Sequence, residues 1–182
     1  MRHLDRRTVL AALALAGWAP LRAEDAAPPE LRRAWPEARL GGQGRLRFFG
    51  LHVYDIRLWS PAALQPGRWH EAPLALEIRY ARDLVGRLIA ERSVQEMQRQ
   101  VALPAERAAA WRAEMERLFP DVRDGDRLTG VYLPGEAARF YYNGTRRGEV
   151  RDAEFARRFF GIWLAPETSE PDLRRRLLGG GA

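Results

Sequence analysis

Asp121, Asp124 and Asp126 place three carboxylates on one short stretch, the kind of cluster that holds calcium when acidic positions alternate and a glutamate closes the loop. Here the positions do not alternate and no glutamate stands at the closing distance, so these residues read as the solvated cap of a turn after Pro120. His52 sits on the polar side of an alternating run, and a general base needs an orienting partner that the sequence does not nominate. Ser60, Ser93 and Ser169 lack the glycine-flanked elbow of a hydrolase nucleophile. The remaining chemistry is apolar. Tyr80, Trp111, Tyr132, Tyr141, Tyr142, Phe159 and Trp163 fall at strand and helix spacing, where they build a core and can also line a cleft between sheet and helices.

Composition removes several classes of function. The chain of 182 residues has no cysteine, and all 30 of its Lys+Arg residues are arginine. Thiolate metal sites, cysteine nucleophiles, Schiff-base chemistry and a phosphate-loop lysine are therefore excluded. Three histidines, His3, His52 and His70, are too few for a histidine-rich metal centre, and no cofactor is expected. The formal charge is +6, but the arginines are spread through the sequence with no run longer than Arg174-Arg175-Arg176, so no nucleic-acid partner is expected.

Half of that charge belongs to the first residues. Arg2, Arg6 and Arg7 precede the apolar run Val9 to Ala19, Pro20 breaks it, and Ala23 offers a small residue before a cut, so residues 1–23 read as an export signal. Arg6-Arg7 followed by Thr8-Val9-Leu10 resembles a twin-arginine signal. The apolar run is too short to span a bilayer, so no stable membrane span is expected once the signal is removed, and the expected location is the periplasm. Residues 24–39 form a lead-in, with Pro28, Pro29 and Pro36 marking Glu24 to Glu37 as a surface segment, and 40–182 should be one domain.

Within that domain the flexible Gly41-Gly42-Gln43-Gly44 opens a strand at Leu46-Phe49. Leu51 to Trp59 and Leu74 to Tyr80 alternate with period two, placing Glu77 and Arg79 on a solvent face. Asp83 is positioned to cap a helix carrying Leu84, Val85, Leu88 and Ile89, and Ser93-Val94-Gln95-Glu96 predicts a kink or a fresh helix start. Pro104 and Pro120 bound another helix. Strands follow at Arg127 to Leu133 and Ala138 to Tyr142, and Asn143-Gly144 predicts a hairpin to a strand near Arg147 to Val150. Asp152 caps a helix striped with Phe155, Phe159, Ile162 and Trp163, and Pro171 starts the last one. This order spells α+β with a mostly antiparallel sheet.

Val53-Tyr54-Asp55-Ile56-Arg57-Leu58-Trp59, Phe119-Pro120-Asp121, Gly125-Asp126, Phe140-Tyr141-Tyr142-Asn143-Gly144 and Phe155 to Leu164 occur in a sequence that resembles the bacterial branch of the chalcone isomerase-like family. The resemblance covers Gly41 to Leu178 and implies an open-faced β-sandwich, its sheet covered by helices on one side. Plant members close a flavanone ring by attack of a phenolate on an enone, with an arginine on the phenolate and hydroxyls polarising the ketone. Non-catalytic relatives hold fatty acids by an arginine and a tyrosine. By position, the tyrosine is Tyr54 and the arginine is Arg47 or, second, Arg45. Tyr80 and Tyr142 are added as ligand-binding candidates. The plant enzymes carry a tyrosine and an amide on the first helix after the third strand, whereas Leu84 to Glu91 has neither.

The expectation is therefore an exported, non-catalytic binder of a small amphipathic acid such as a fatty acid, its head group held by a guanidinium fork and a phenol. Two other classes stay open: an isomerase or lyase acting on an enone or phenolic substrate, and a cell-envelope protein–protein module. The sequence leaves the oligomeric state open.

Overall fold

Two tight turns with the same backbone set the ends of the sheet. Asn143-Gly144 and Phe49-Gly50 both have positive φ at each central residue (47° and 84°, 49° and 76°), the conformation that matches the twist of antiparallel strands. The structure, a computed structural model, describes residues 26–179, so the expected export signal lies outside the described residues. Its strands are β1 (Arg39–Phe48), β2 (Leu51–Ser60), β3 (Leu74–Tyr80), β4 (Arg127–Leu133), β5 (Ala137–Tyr142) and β6 (Thr145–Val150). They pair antiparallel in sequence order. The helices are α1 (Pro29–Ala34), α2 (Gly86–Gln100), α3 (Ala105–Leu118), α4 (Ala153–Leu164) and α5 (Pro171–Leu177). The fold is α+β, an open antiparallel sheet with its main helical layer on one face.

Alternation decides the faces. Ile56, Leu58, Leu74, Leu76, Ile78, Leu128, Tyr132, Ala138 and Phe140 form one apolar face, packed under α2, α3, α4 and α5. Helix α4 is the centre of that layer. Asp152 caps it by accepting from the backbone N–H groups of Glu154 and Phe155 at 2.9 and 3.0 Å, and its Phe155, Phe159 and Phe160 rings mesh with Phe119, Phe140 and Tyr132.

The opposite face departs from the sequence reading. The segment expected at the surface instead carries α1, and Ala27 and Leu31 pack against Trp59, Ala75 and Val131. Glu77, expected in solvent, is 3% exposed and accepts from Trp59 Nε1 at 2.8 Å and Arg57 Nη2 at 3.1 Å. Glu30 of α1 is buried too, accepting from Thr129 Oγ1 at 2.8 Å and from Arg127 Nη2 at 3.0 Å. Period two identifies the strand face, but only tertiary packing decides what covers it.

Other expectations also shift. Helix α2 runs unbroken through Ser93, whose hydroxyl donates to the Ile89 carbonyl at 2.8 Å instead of capping a new helix. Its first turn is capped from another loop: Asp121 Oδ1 accepts the Gly86 N–H at 2.8 Å, while Asp83 accepts from Asp124 N at 3.0 Å. β1 begins at Arg39, so the glycine cluster lies inside the strand. A Cβ on Gly42 would stand 2.1 Å from the Arg176 carbonyl oxygen, so these glycines admit α5 against β1.

Candidate functional site

Between the helical face of β1–β4 and helices α2 and α4 lies a cavity of about 330 Å³. Leu46, Phe48, Ile78, Tyr80 and Leu128 come from the sheet, Leu84, Val85, Leu88 and Ile89 from the entry to α2, and Phe159, Ile162 and Trp163 from α4. The β1–β2 register shifts by one residue at Leu46 and Arg47, where β2 carries Val53 as an extra residue between their partners Tyr54 and His52, and Val53 and Tyr54, adjacent in sequence, both line the cavity.

Two phenols dominate its polar interior. Tyr54 and Tyr80 are cross-strand partners whose rings meet edge to face, 6.1 Å between centroids. Trp163 Nε1 donates to the Tyr54 hydroxyl at 2.9 Å, leaving that hydroxyl's own proton available. Among the described residues none hydrogen-bonds the Tyr80 hydroxyl. Burial raises both phenols well above the ordinary tyrosine range, with the Trp163 N–H opposing the shift at Tyr54. Both therefore stay protonated at neutral pH, hydrogen-bond donors with no phenolate form to act as a base.

Charged groups border the cavity in two places. Arg82, just past β3, is exposed and, among the described residues, has no ion-pair partner. On α2, Arg92 Nη2 lies 2.5 Å from Glu96 Oε1, while Glu96, 8% exposed, leaves its Oε2 without a hydrogen bond. Glu170, from the loop before α5, completes this edge; burial and then the Glu96 charge raise its carboxyl above the usual range, Arg92 opposing.

The sequence candidates divide between these surroundings. Tyr54 and Tyr80 come together in the cavity. Arg45 and Arg47 do not line it, because Leu46 and Phe48 take the cavity side and alternation sends both arginines to the other face. Arg45 pairs with Asp55 at 2.7 Å, and Arg47 donates to the Gly50 carbonyl at 3.3 Å. Tyr142 donates to Asp126 Oδ2 at 2.6 Å outside the cavity, and with Asn143 and the Arg123 N–H it holds the Asp126 carboxyl below its usual range. Trp111, Tyr132 and Tyr141 pack elsewhere, whereas Phe159 and Trp163 line the cavity. His52, for which the sequence nominated no partner, lies 3.2 Å from Asp55 Oδ1. Sequence reasoning missed Arg82, Arg92, Glu96 and Glu170. The signal for two of them was present: Leu88, Arg92 and Glu96 follow at intervals of four along one face of α2.

The pattern of the family described as chalcone isomerase-like matches residues 37–179, most of the chain. The chain belongs to the chalcone isomerase-like family. This chalcone isomerase-like chain is 33% identical over 128 residues to an uncharacterized protein of Haemophilus influenzae, a match covering 70% of the chain and 61% of that relative's length. Among solved structures it resembles an Arabidopsis thaliana fatty-acid binding protein, with a TM-score of 0.60 at 13% identity, over 79% of this chain and 88% of that one. At that identity the likeness speaks for the fold.

Proposed function

We propose that this protein is a non-catalytic binder of a small amphipathic acid, such as a fatty acid, and that it is exported to the periplasm. One observation carries the reading: an apolar cavity holds two phenols, Tyr80 buried and Tyr54 half-buried, and Tyr54 has its acceptor engaged by Trp163 while its proton remains free. A carboxylate needs donors, and an acyl chain needs walls without charge. The phenols supply neutral donors, Arg82 supplies a guanidinium fork at the edge, and the leucines, isoleucines and aromatic rings take the chain. The raised phenols favour holding a ligand over abstracting a proton from it. The solved neighbour described as a fatty-acid binding protein supports the same ligand class. Export rests on the basic, apolar and small-residue order of Met1–Ala23.

Native and denaturing mass spectrometry of the chain purified from its own cells tests the proposal. A fatty-acid mass present in the native state, lost on denaturation and reduced in Tyr54→Phe, is the expected result. A bare chain that also fails to take up added palmitate overturns it.

A further inference from the structure

Among the described residues the exposed large apolar side chains are Phe48, Phe49, Leu51, Val85 and Leu88, and they gather at one end of the molecule. Phe48, Val85 and Leu88 border the cavity, Leu51 is the cross-strand partner of Phe48, and the Phe49 ring meets Phe48 edge to face at 4.5 Å between centroids. The patch is thus continuous with the cavity mouth. Single exposed apolar residues are ordinary, but a contiguous set on a protruding turn marks a contact surface.

Phe49 is the most telling member. It is 89% exposed and has φ of 49°, in the left-handed region where the equivalent position of the other tight hairpin carries Asn143 at 47°. Neither burial in the chain nor turn geometry accounts for a phenylalanine there. Arg47 and Arg82 flank the patch without carboxylate partners among the described residues. Arg87 pairs with Glu91 on the surface, Asp55 is engaged by Arg45, and Asp83 accepts a backbone N–H. Exposed apolar side chains flanked by Arg82 and by Arg47, whose guanidinium donates to the Gly50 carbonyl, complement a bilayer interface whose phosphates are negative and whose acyl region begins a few ångströms deeper.

We propose that the β1–β2 turn and the first turn of α2 dock on an anionic phospholipid bilayer, with Phe49 and Leu51 entering the interface and the cavity mouth facing the acyl chains. The docking is read from the rim and adds to the binder reading a route by which a lipophilic ligand passes between membrane and cavity without crossing water.

The absence of cysteine makes the test site-specific. In the full-length chain, Phe49→Cys carries an environment-sensitive dye, and Glu136→Cys carries the same dye at the opposite end of the sheet. Each is mixed with phosphatidylglycerol or phosphatidylcholine vesicles. We expect a blue shift and a several-fold rise in emission at position 49 on phosphatidylglycerol, at least a threefold weakening in about 0.5 M salt, and no change at position 136. No change at 49, equal changes at both positions, or the same response on phosphatidylcholine overturns the proposal. A change at 49 that follows protein concentration without vesicles also overturns it, in favour of a second copy covering the rim. Native mass spectrometry of the unlabelled chain reads cavity occupancy separately. Docking by a chain that takes no fatty acid sinks only the binder reading, and ligand uptake without docking sinks only this one.

Discussion

Trp163 Nε1 donates to the Tyr54 hydroxyl at 2.9 Å, a bond that ties α4 to β2 across the floor of the cavity. Tyr54→Phe removes the acceptor and strands an indole N–H in a side chain only 7% exposed. Leaving such a donor unpaired costs about 1–3 kcal/mol, so the urea midpoint should fall. Fatty-acid affinity should fall as well, because the free phenolic proton goes with the oxygen. Tyr54→Phe with wild-type stability and wild-type affinity would remove the central group from the site.

Arg82 and Arg47 are separated by the same experiment. Arg82 borders the cavity and Arg47 lies across the sheet. Arg82→Ala should weaken palmitate binding about three- to tenfold, the range for a partly solvated charge-assisted contact, with an unchanged melting temperature. Arg47→Ala should leave affinity as it is. The reverse ranking in a titration would return the head group to the arginine chosen by sequence position.

Phe49→Asn exchanges a strained residue for the one the turn prefers. A bulky L-residue in the left-handed region costs roughly 1–2 kcal/mol, and Asn143 occupies the same conformation in the β5–β6 hairpin. The variant should melt several degrees higher while losing vesicle binding. Stability that falls instead would mean that the contact between Phe48 and Phe49, 4.5 Å between centroids, outweighs the strain.

The parts of this fold legible in the sequence are those governed by period and turn chemistry. Leu74 to Tyr80, the Asn143-Gly144 hairpin and the Asp152 cap all stand where alternation, an αL-tolerant pair and a capping carboxylate put them. The site was half legible. Tyr54, nominated by family position, lines the cavity, whereas Arg45 and Arg47 do not, although Leu46 and Phe48 alternate with them and already reveal which side faces the helices. Glu77 and α1 were beyond local reasoning, because a charged residue on a strand looks solvated until a distant segment folds over it. Ser93 failed for a related reason: its hydroxyl bonds to its own helix at Ile89, a choice the capping-box pattern does not exclude.

Gly42 separates flexibility from close packing as the reason for the glycine cluster. A methyl there would meet the Arg176 and Leu177 carbonyl oxygens at 2.1 and 2.3 Å, and backbone cannot step aside as a flexible side chain can. Gly42→Ala should therefore displace α5 and cost at least about 2 kcal/mol in a denaturant melt, as overpacking does. Gly41→Ala meets Leu58 only at 3.6 Å and should be near neutral or slightly stabilising. Equal tolerance at both positions would restore the flexible-opener reading.

Glu149 gives the fold a definite acid dependence. Arg151 Nε at 2.6 Å and Arg139 Nε at 3.1 Å donate to its carboxylate, and these two arginines lower its carboxyl from the ordinary 4.5 to about 2 against the opposing effect of burial; Arg146 Nη2 also donates, at 2.8 Å. A carboxyl lowered by folding stabilises the native state fully above its unfolded value, and that contribution drains away as pH falls from 4.5 through 2. Glu149→Gln should thus be destabilised relative to wild type at pH 6, and the gap should narrow steadily at pH 4 and pH 3. Chemical denaturation at the three values reads the gap directly. A gap independent of pH would mean that the three arginines hold β5 and β6 by geometry alone, with the charge on Glu149 adding nothing.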